Sequence, residues 1–221
     1  MKIMYAEAQP TLGDLGVKLG SEQGSEILEG LKAYLRGENP FPVHVVSVPG
    51  KASWESKGDL IFITLPPSEG VTGQQWIEYF DDNDINMSDD AKTVLSSEAF
   101  QPTAPGTIHR IVALKAIFWK KDSARTTENI QAEGISRKWL EAHPEAVCIF
   151  RKCFSDKQLK KMGIFYLVGI HKPIEVCGDP RFLIADRRGD GRWFDTGCAN
   201  PDNKWFVSGA FFWSLPQENQ S

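Results

Sequence analysis

Between Ser25 and Pro40 the apolar side chains Ile27, Leu28, Leu31 and Leu35 recur at helical spacing together with the Tyr34 ring, and Gly37 and Pro40 follow. This pattern predicts one amphipathic helix with Ser25 as its cap. Three short β-forming runs surround it in sequence: KIMYAE near the start, Val43 to Val48, and Asp59 to Leu65. The last two are separated by a connection that Pro49-Gly50 opens as a turn, so a small sheet is expected. GQQWIEYF reads as a short helix. SDDAKTVLSSEAF reads as another, capped by Ser88 with acidic first-turn residues that the helix dipole favours. The breakers in QPTAPGT then predict a boundary near residues 101–106, dividing the chain into 1–103 and 104–221.

The second part begins with TIHRIVALKAIFW, dense in β-formers, and continues into TTENIQAEGISRKWL, where Thr126 or Thr127 can cap a helix. PEAVCIFRKCF and SDKQLKKMG predict one broken or two short helices, the latter starting at Ser155 and stopping at Gly163. IFYLVGIH has the branched and aromatic content of a central strand. Beyond Pro173 come RFLIAD, the turn RRGDG, RWFDTG, a loop at CANPDN and WFVSGAFFWSL. The fold class expected is α+β: a smaller α+β region, then a domain running strand, helices, and a turn-rich sheet.

With 221 residues, 41% apolar and 24% charged, the chain can bury its own core. Its net charge of -4 supplies no global basic field, which counts against wholesale capture of nucleic acid. The first residues turn polar before an apolar signal segment could form, and no run approaches a membrane span. The chain therefore reads as soluble and outside the general secretory route, with the cytoplasm the compartment this suggests. Cys148, Cys153, Cys177 and Cys198 match neither a redox pair nor zinc-knuckle spacing and read as buried free thiols, although a disulfide depends on spatial distance.

Little in the chain resembles a catalytic or metal motif, so no catalytic residue, metal or cofactor is assigned. In DDNDINMSDD the residues Asp82, Asp84 and Asn86 alternate as calcium ligands do, but Met87 stands where the sharp turn needs Gly and Thr93 where the bidentate Glu belongs. A solvated turn leading into a capped helix is the better account. His44, His109, His143 and His171 are scattered, without a metalloprotease pair, nucleophile elbow or phosphate-cradling loop. An enzyme of hydrolase type would have to use His109 or His171 with a carboxylate brought near by folding. Arg188-Gly189-Asp190 reads as a hairpin turn, not a recognition tripeptide. Arg181, Arg187, Arg188 and Arg192 could hold phosphate, but Asp179, Asp186 and Asp190 interleave with them and cancel the local field.

From Cys177 to Pro216 there are five Asp but no Glu, two Asn but no Gln, no Met and a single Lys. Turns account for part of this bias. The small polar residues, however, also fill the spaces between Trp and Phe, as on a rigid scaffold carrying exchangeable surface groups. With the order from TIHRIVALKAIFW through RTTENIQAEGISR to a terminal GAFFW, the second part resembles the C-type lectin fold of the variable proteins of diversity-generating retroelements. In that family a reverse-transcriptase system replaces adenines in the C-terminal coding segment. Diversified Asn codons yield residues such as Asp, Arg, Gly, Phe and Ser but never Glu, Gln, Met, Lys or Trp. Gly209-Ala210-Phe211 departs from the family's frequent Gly-Phe-Arg ending. Asn200-Pro201-Asp202 and Trp193-Phe194-Asp195 also depart from the motifs of calcium-dependent sugar lectins, so calcium-mediated sugar binding is not implied.

The resemblance implies a non-enzymatic binding protein with a C-type-lectin-like domain over 104–221 and a variable segment over about 178–216. Its partner would be a protein or other macromolecule. Phe182, Trp193, Trp205, Phe211, Phe212 and Trp213 would be the scaffold. Asp186, Arg188, Asp190, Arg192, Asp195, Thr196, Asn200, Asp202, Asn203, Phe206 and Ser208 would be the ligand contacts. A plain structural or interaction protein, with aromatics in the core and solvated arginines, is the other reading beside the enzyme.

Overall fold

A computed structural model describes residues 51–216, which lie within one compact unit, Val48–Ser221. The predicted helix over 25–37, the runs KIMYAE and Val43 to Val48, the Pro49-Gly50 turn and His44 fall outside the described residues. What is described is an α+β fold built on one mixed sheet of nine strands. The chain forms β1 (Ser53–Lys57), β2 (Leu60–Thr64), α1 (Gly73–Asp82), β3 (Ile85–Met87), α2 (Asp89–Ser96) and β4 (Arg110–Lys115). After two 3-10 turns it forms α3 (Thr127–Ser136), α4 (Pro144–Cys153) and α5 (Asp156–Met162). It ends with β5 (Tyr166–Gly169), β6 (Ile174–Val176), β7 (Asp179–Arg188), β8 (Gly191–Cys198) and β9 (Gly209–Ser214).

The helix boundaries follow their local chemistry. Thr72 and Gln75 close a capping box on α1, Ser88 accepts from the Ala91 amide at the start of α2, and Thr126 does the same for Asn129 in α3. Pro144 opens α4, where its missing amide costs nothing. Ser155 and Gln158 box the start of α5, and Gly163 ends it at φ 77°, a conformation that glycine adopts without strain.

The strand order is β1-β2-β4-β9-β5-β7-β8-β3, with β6 on β7. The expected boundary at 101–106 is corrected by this order. β2 lies before it and β4 after it, yet the two pair antiparallel from Leu60↔Leu114 to Thr64↔Arg110. The Pro-rich stretch is a connection within one sheet, because breakers interrupt local structure without interrupting hydrogen bonding between distant strands. TIHRIVALKAIFW is likewise shorter as a strand than its composition suggests, since the chain turns into a 3-10 helix at Ala116–Phe118. The acidic stretch expected to be a solvated turn contains β3, which pairs parallel with β8.

Both faces of the sheet are covered. On the first, Ile61, Ile111, Leu167, Leu183, Phe194 and Phe212 pack against Trp76 and Phe80 of α1, Val94 of α2, Phe150 of α4 and Leu159 of α5. On the second, Leu114, Val168, Phe182, Ile184, Phe211 and Trp213 pack against Ile130 of α3 with Trp119 and the half-buried Trp205. Burial on both sides explains the near-continuous apolar runs of β4 and β9.

Candidate ligand-binding surface

Alternation along β7 and β8 sorts the charged residues of the C-terminal segment. Leu183 and Ala185 point into the first core and Ile184 into the second, so Arg187 belongs to the first face and Asp186 and Arg188 to the second. The register carries this across to β8: Asp195 stands opposite Ile184, Trp193 opposite Asp186, and Arg192 opposite Arg187. Asp186, Arg188, Trp193 and Asp195 consequently share the second face near the Gly189-Asp190 hairpin turn.

There they form one ion network. Arg188 Nε donates to Asp186 Oδ2 at 2.8 Å, and its terminal nitrogen donates to Asp195 Oδ2. The same guanidinium lies 4.2 Å from the centre of the Trp193 ring, whose Nε1 donates to Asp190 Oδ1 at 2.9 Å. This fixes five side chains that would otherwise lose rotamer freedom on binding. Burial raises the pKa of Asp186, with the hydrogen bond from Arg188 opposing it. Burial acts to lower that of Arg188, but its hydrogen bonds to both carboxylates outweigh this and move it up. Asp186 Oδ1 is buried without a partner among the described residues.

The segment 199–208 crosses the same face and ends beside this network. Ala199 N donates to Pro180 O at 2.8 Å, placing the beginning of the segment at the far end of β7. The amides of Glu128 and Thr127, at the start of α3, donate to Pro201 O and Asn203 O at 2.9 and 3.0 Å. Trp205 N then bonds Arg125 O, and Trp205 Nε1 bonds Thr127 Oγ1 at 3.0 Å. The indole rests on Gly197, where an added Cβ would stand 2.5 Å from a ring carbon. Tyr166 closes the far side: its hydroxyl donates to Phe206 O at 2.9 Å, and burial pushes its pKa up to about 12. The result is a braced loop whose next side chains, Phe206 (79% exposed), Val207 and Ser208, face solvent. The main chain of Phe165 donates to Ser208 O at 2.7 Å, while its partly exposed ring turns to the other face, beneath Arg187.

The expected contact residues therefore divide. Asp186, Arg188, Asp190, Asp195, Phe206 and Ser208 gather at the β7–β8 turn end of the sheet. Asn200, Asp202 and Asn203 lie at the other end of the crossing segment. Arg192 and Thr196 are on the opposite face, because each strand residue points away from its neighbour; Arg192 donates to Arg151 O at 2.6 Å. Of the expected scaffold, Phe182, Phe211, Phe212 and Trp213 are buried. Trp193 is corrected: it is half-buried in the polar network, and the core position of that pair belongs to Phe194, packed 4.7 Å from the Phe80 ring. Phe165, Tyr166 and Val207 were not singled out in the sequence, where they read as parts of strands.

The histidines weighed for an enzyme are both enclosed. His171 Nε2 accepts from the Leu183 amide at 3.0 Å while Nδ1 contacts Lys172 O at 2.7 Å, and burial lowers its pKa to about 4. His109 Nε2 is 3.4 Å from Thr103 Oγ1, which donates in turn to Glu145 Oε2. Glu145 is fully buried and also accepts from Ser68 Oγ at 3.0 Å and the Thr103 amide at 2.7 Å. This network braces the 101–106 connection against the start of α4. Comparison with protein-family models, with curated proteins and with solved structures finds no match for this chain. Among the described residues, no helix is long and apolar enough to cross a membrane.

Proposed function

We propose that the protein is a non-enzymatic binding protein, a C-type-lectin-like variable protein of the diversity-generating retroelement kind. Its ligand surface is the β7–β8 turn end of the second sheet face. The observation that carries this reading is Phe206, an almost fully exposed aromatic held by a loop fastened to α3 and Tyr166, beside the Asp186–Arg188–Asp195 network. Exposed aromatics on a rigid support, rimmed by ordered polar groups, are the usual material of protein-binding anchors. Support also comes from the element order after residue 104, strand, helices and turn-rich sheet, and from the absence of Glu, Gln and Met between Cys177 and Pro216. The partner is a macromolecule that buries Phe206 and Val207 and meets the polar rim.

The test lies in the DNA next to the coding sequence. A near-copy of the final coding segment that differs at adenines, beside a reverse-transcriptase gene, is the expected finding, with the differences falling on Asp186, Asp190, Asp195, Phe206 and Ser208. Finding neither removes the retroelement assignment. The binding surface is tested separately by randomising Asp190, Phe206 and Ser208. Most variants should keep the parent melting temperature, and a library that largely unfolds would show these positions to be structural.

A further inference from the structure

On the first face, beneath the network just described, β7 and β8 place Arg187 directly opposite Arg192. Like charges in this relation repel unless something holds them. No carboxylate among the described residues pairs with either. Arg187 Nε donates to Ile164 O at 3.0 Å and its guanidinium lies 4.7 Å from the centre of the half-exposed Phe165 ring. Arg192 donates to the main-chain oxygen of Arg151 at 2.6 Å. Arg151 itself is fully buried: it donates to Asp186 O at 2.9 Å, Phe154 O at 2.7 Å and Asp156 Oδ1 at 2.9 Å. The nearness of Arg192 is felt electrostatically, since its charge lowers the pKa of Arg151 after burial has done so. Asp156 is the paired carboxylate of Arg151 alone, leaving Arg187 and Arg192, opposite each other across β7 and β8, without one among the described residues. The Nε atoms of Arg151 and Arg192 are buried without hydrogen-bond partners among the described residues.

In sequence the aspartates interleave with these arginines and read as neutralising them. The fold separates the two sets: Asp186 and Asp195 turn to the second face with Arg188, leaving Arg187 and Arg192 on the first. Arg187 and Arg192 are each oriented by a main-chain carbonyl, which carries no net charge, so their fork-shaped donors are pre-positioned and their charge stays unpaired among the described residues, whereas that of Arg151 is met by Asp156. Planar guanidinium pairs of this kind match the oxygens of a phosphate group bidentately.

We infer that Arg187 and Arg192, backed by the buried Arg151, form a binding site for a phosphate group, free or as a monoester, on the sheet face opposite the proposed ligand surface. Phe165, beneath Arg187, would border the ester substituent.

Isothermal titration of the full chain at constant ionic strength, with inorganic phosphate and separately with phenyl phosphate, tests this. The expected result is saturable binding that falls at least tenfold in the Arg187→Gln/Arg192→Gln variant and is unchanged in the charge-matched control Arg110→Gln/Lys120→Gln, both exposed positions elsewhere. Tighter binding of phenyl phosphate assigns the site to an ester, and equal binding to free phosphate. Arg187→Gln alone keeps the Arg192 bond to α4, and should weaken binding several-fold if the double variant melts early. Absence of saturable binding of either probe, or an equal loss in the control, overturns the site.

Discussion

Acidification should unfold this protein through His171. The ring is fully buried, and its Nε2 must stay unprotonated to accept the Leu183 amide of β7. That leaves the single proton on Nδ1, facing Lys172 O. Adding a second proton would strand a charge in the core and turn the Leu183 acceptor into a donor facing a donor. The folded pKa is about 4 against 6.5 for a free side chain. The folded state therefore binds fewer protons than the unfolded chain in this window, and stability is lost as pH falls from about 6.5 towards about 4. With 1.36 kcal/mol per unit, the loss from this residue is about 2 kcal/mol at pH 5 and about 3 kcal/mol below pH 4. Burial also lowers the pKa of His109 and His143, so they act in the same direction, and a difference measurement is needed to isolate His171. His171→Gln retains an acceptor for Leu183 and cannot be protonated. Urea denaturation at pH 7 and pH 5 should show a variant less stable at pH 7, because it loses the edge contact with Phe182, but with about 2 kcal/mol less acid sensitivity. Equal acid sensitivity in the two proteins would refute the assignment of the proton to His171.

The remaining expectations concern the crossing segment, the polar network and the buried acid. Trp205→Ala should cost about 3 kcal/mol, the low end for a large aromatic because the ring is half-buried, whereas Asp202→Ala should stay within about 0.5 kcal/mol; equal shifts in urea midpoint would contradict the division between anchor and surface. Gly197→Val places a side chain where the Trp205 indole rests, so limited proteolysis should cleave faster within 199–208. Arg188→Leu removes the shared cation of Asp186 and Asp195. Asp186, already raised by burial, should rise further and bind its proton more tightly when folded, so the variant's stability deficit should shrink as pH is lowered from 7 to 5; a deficit independent of pH would show that the network acts by packing alone. Glu145→Gln exchanges an acceptor for an amide donor facing Ser68 and Thr103 and should cost about 1 to 3 kcal/mol in chemical denaturation.

Local chemistry was legible in the chain itself. Ser88, Thr126, Ser155 and Gly163 bound helices where their side chains or backbone freedom suggest, because caps act within a turn of chain. The α+β class and the turn between β7 and β8 follow from periodicity and Gly placement in the same way. The domain boundary was not legible, since the pairing of β2 with β4 joins residues that no local signal connects. Nor was the role of Trp193 as against Phe194. The two are neighbours of similar composition, and only the register of β8 on β7 decides which enters the core. The same one-residue alternation separates Arg187 and Arg192 from Asp186, Arg188 and Asp195, turning a charge-balanced string into an ion network on one face and an arginine cluster on the other. Sequence determined where the helices are capped, where the β7–β8 turn falls and what charges the strands carry. Tertiary pairing decided which charges meet, because hydrogen-bond register between distant strands sets the face that every side chain occupies.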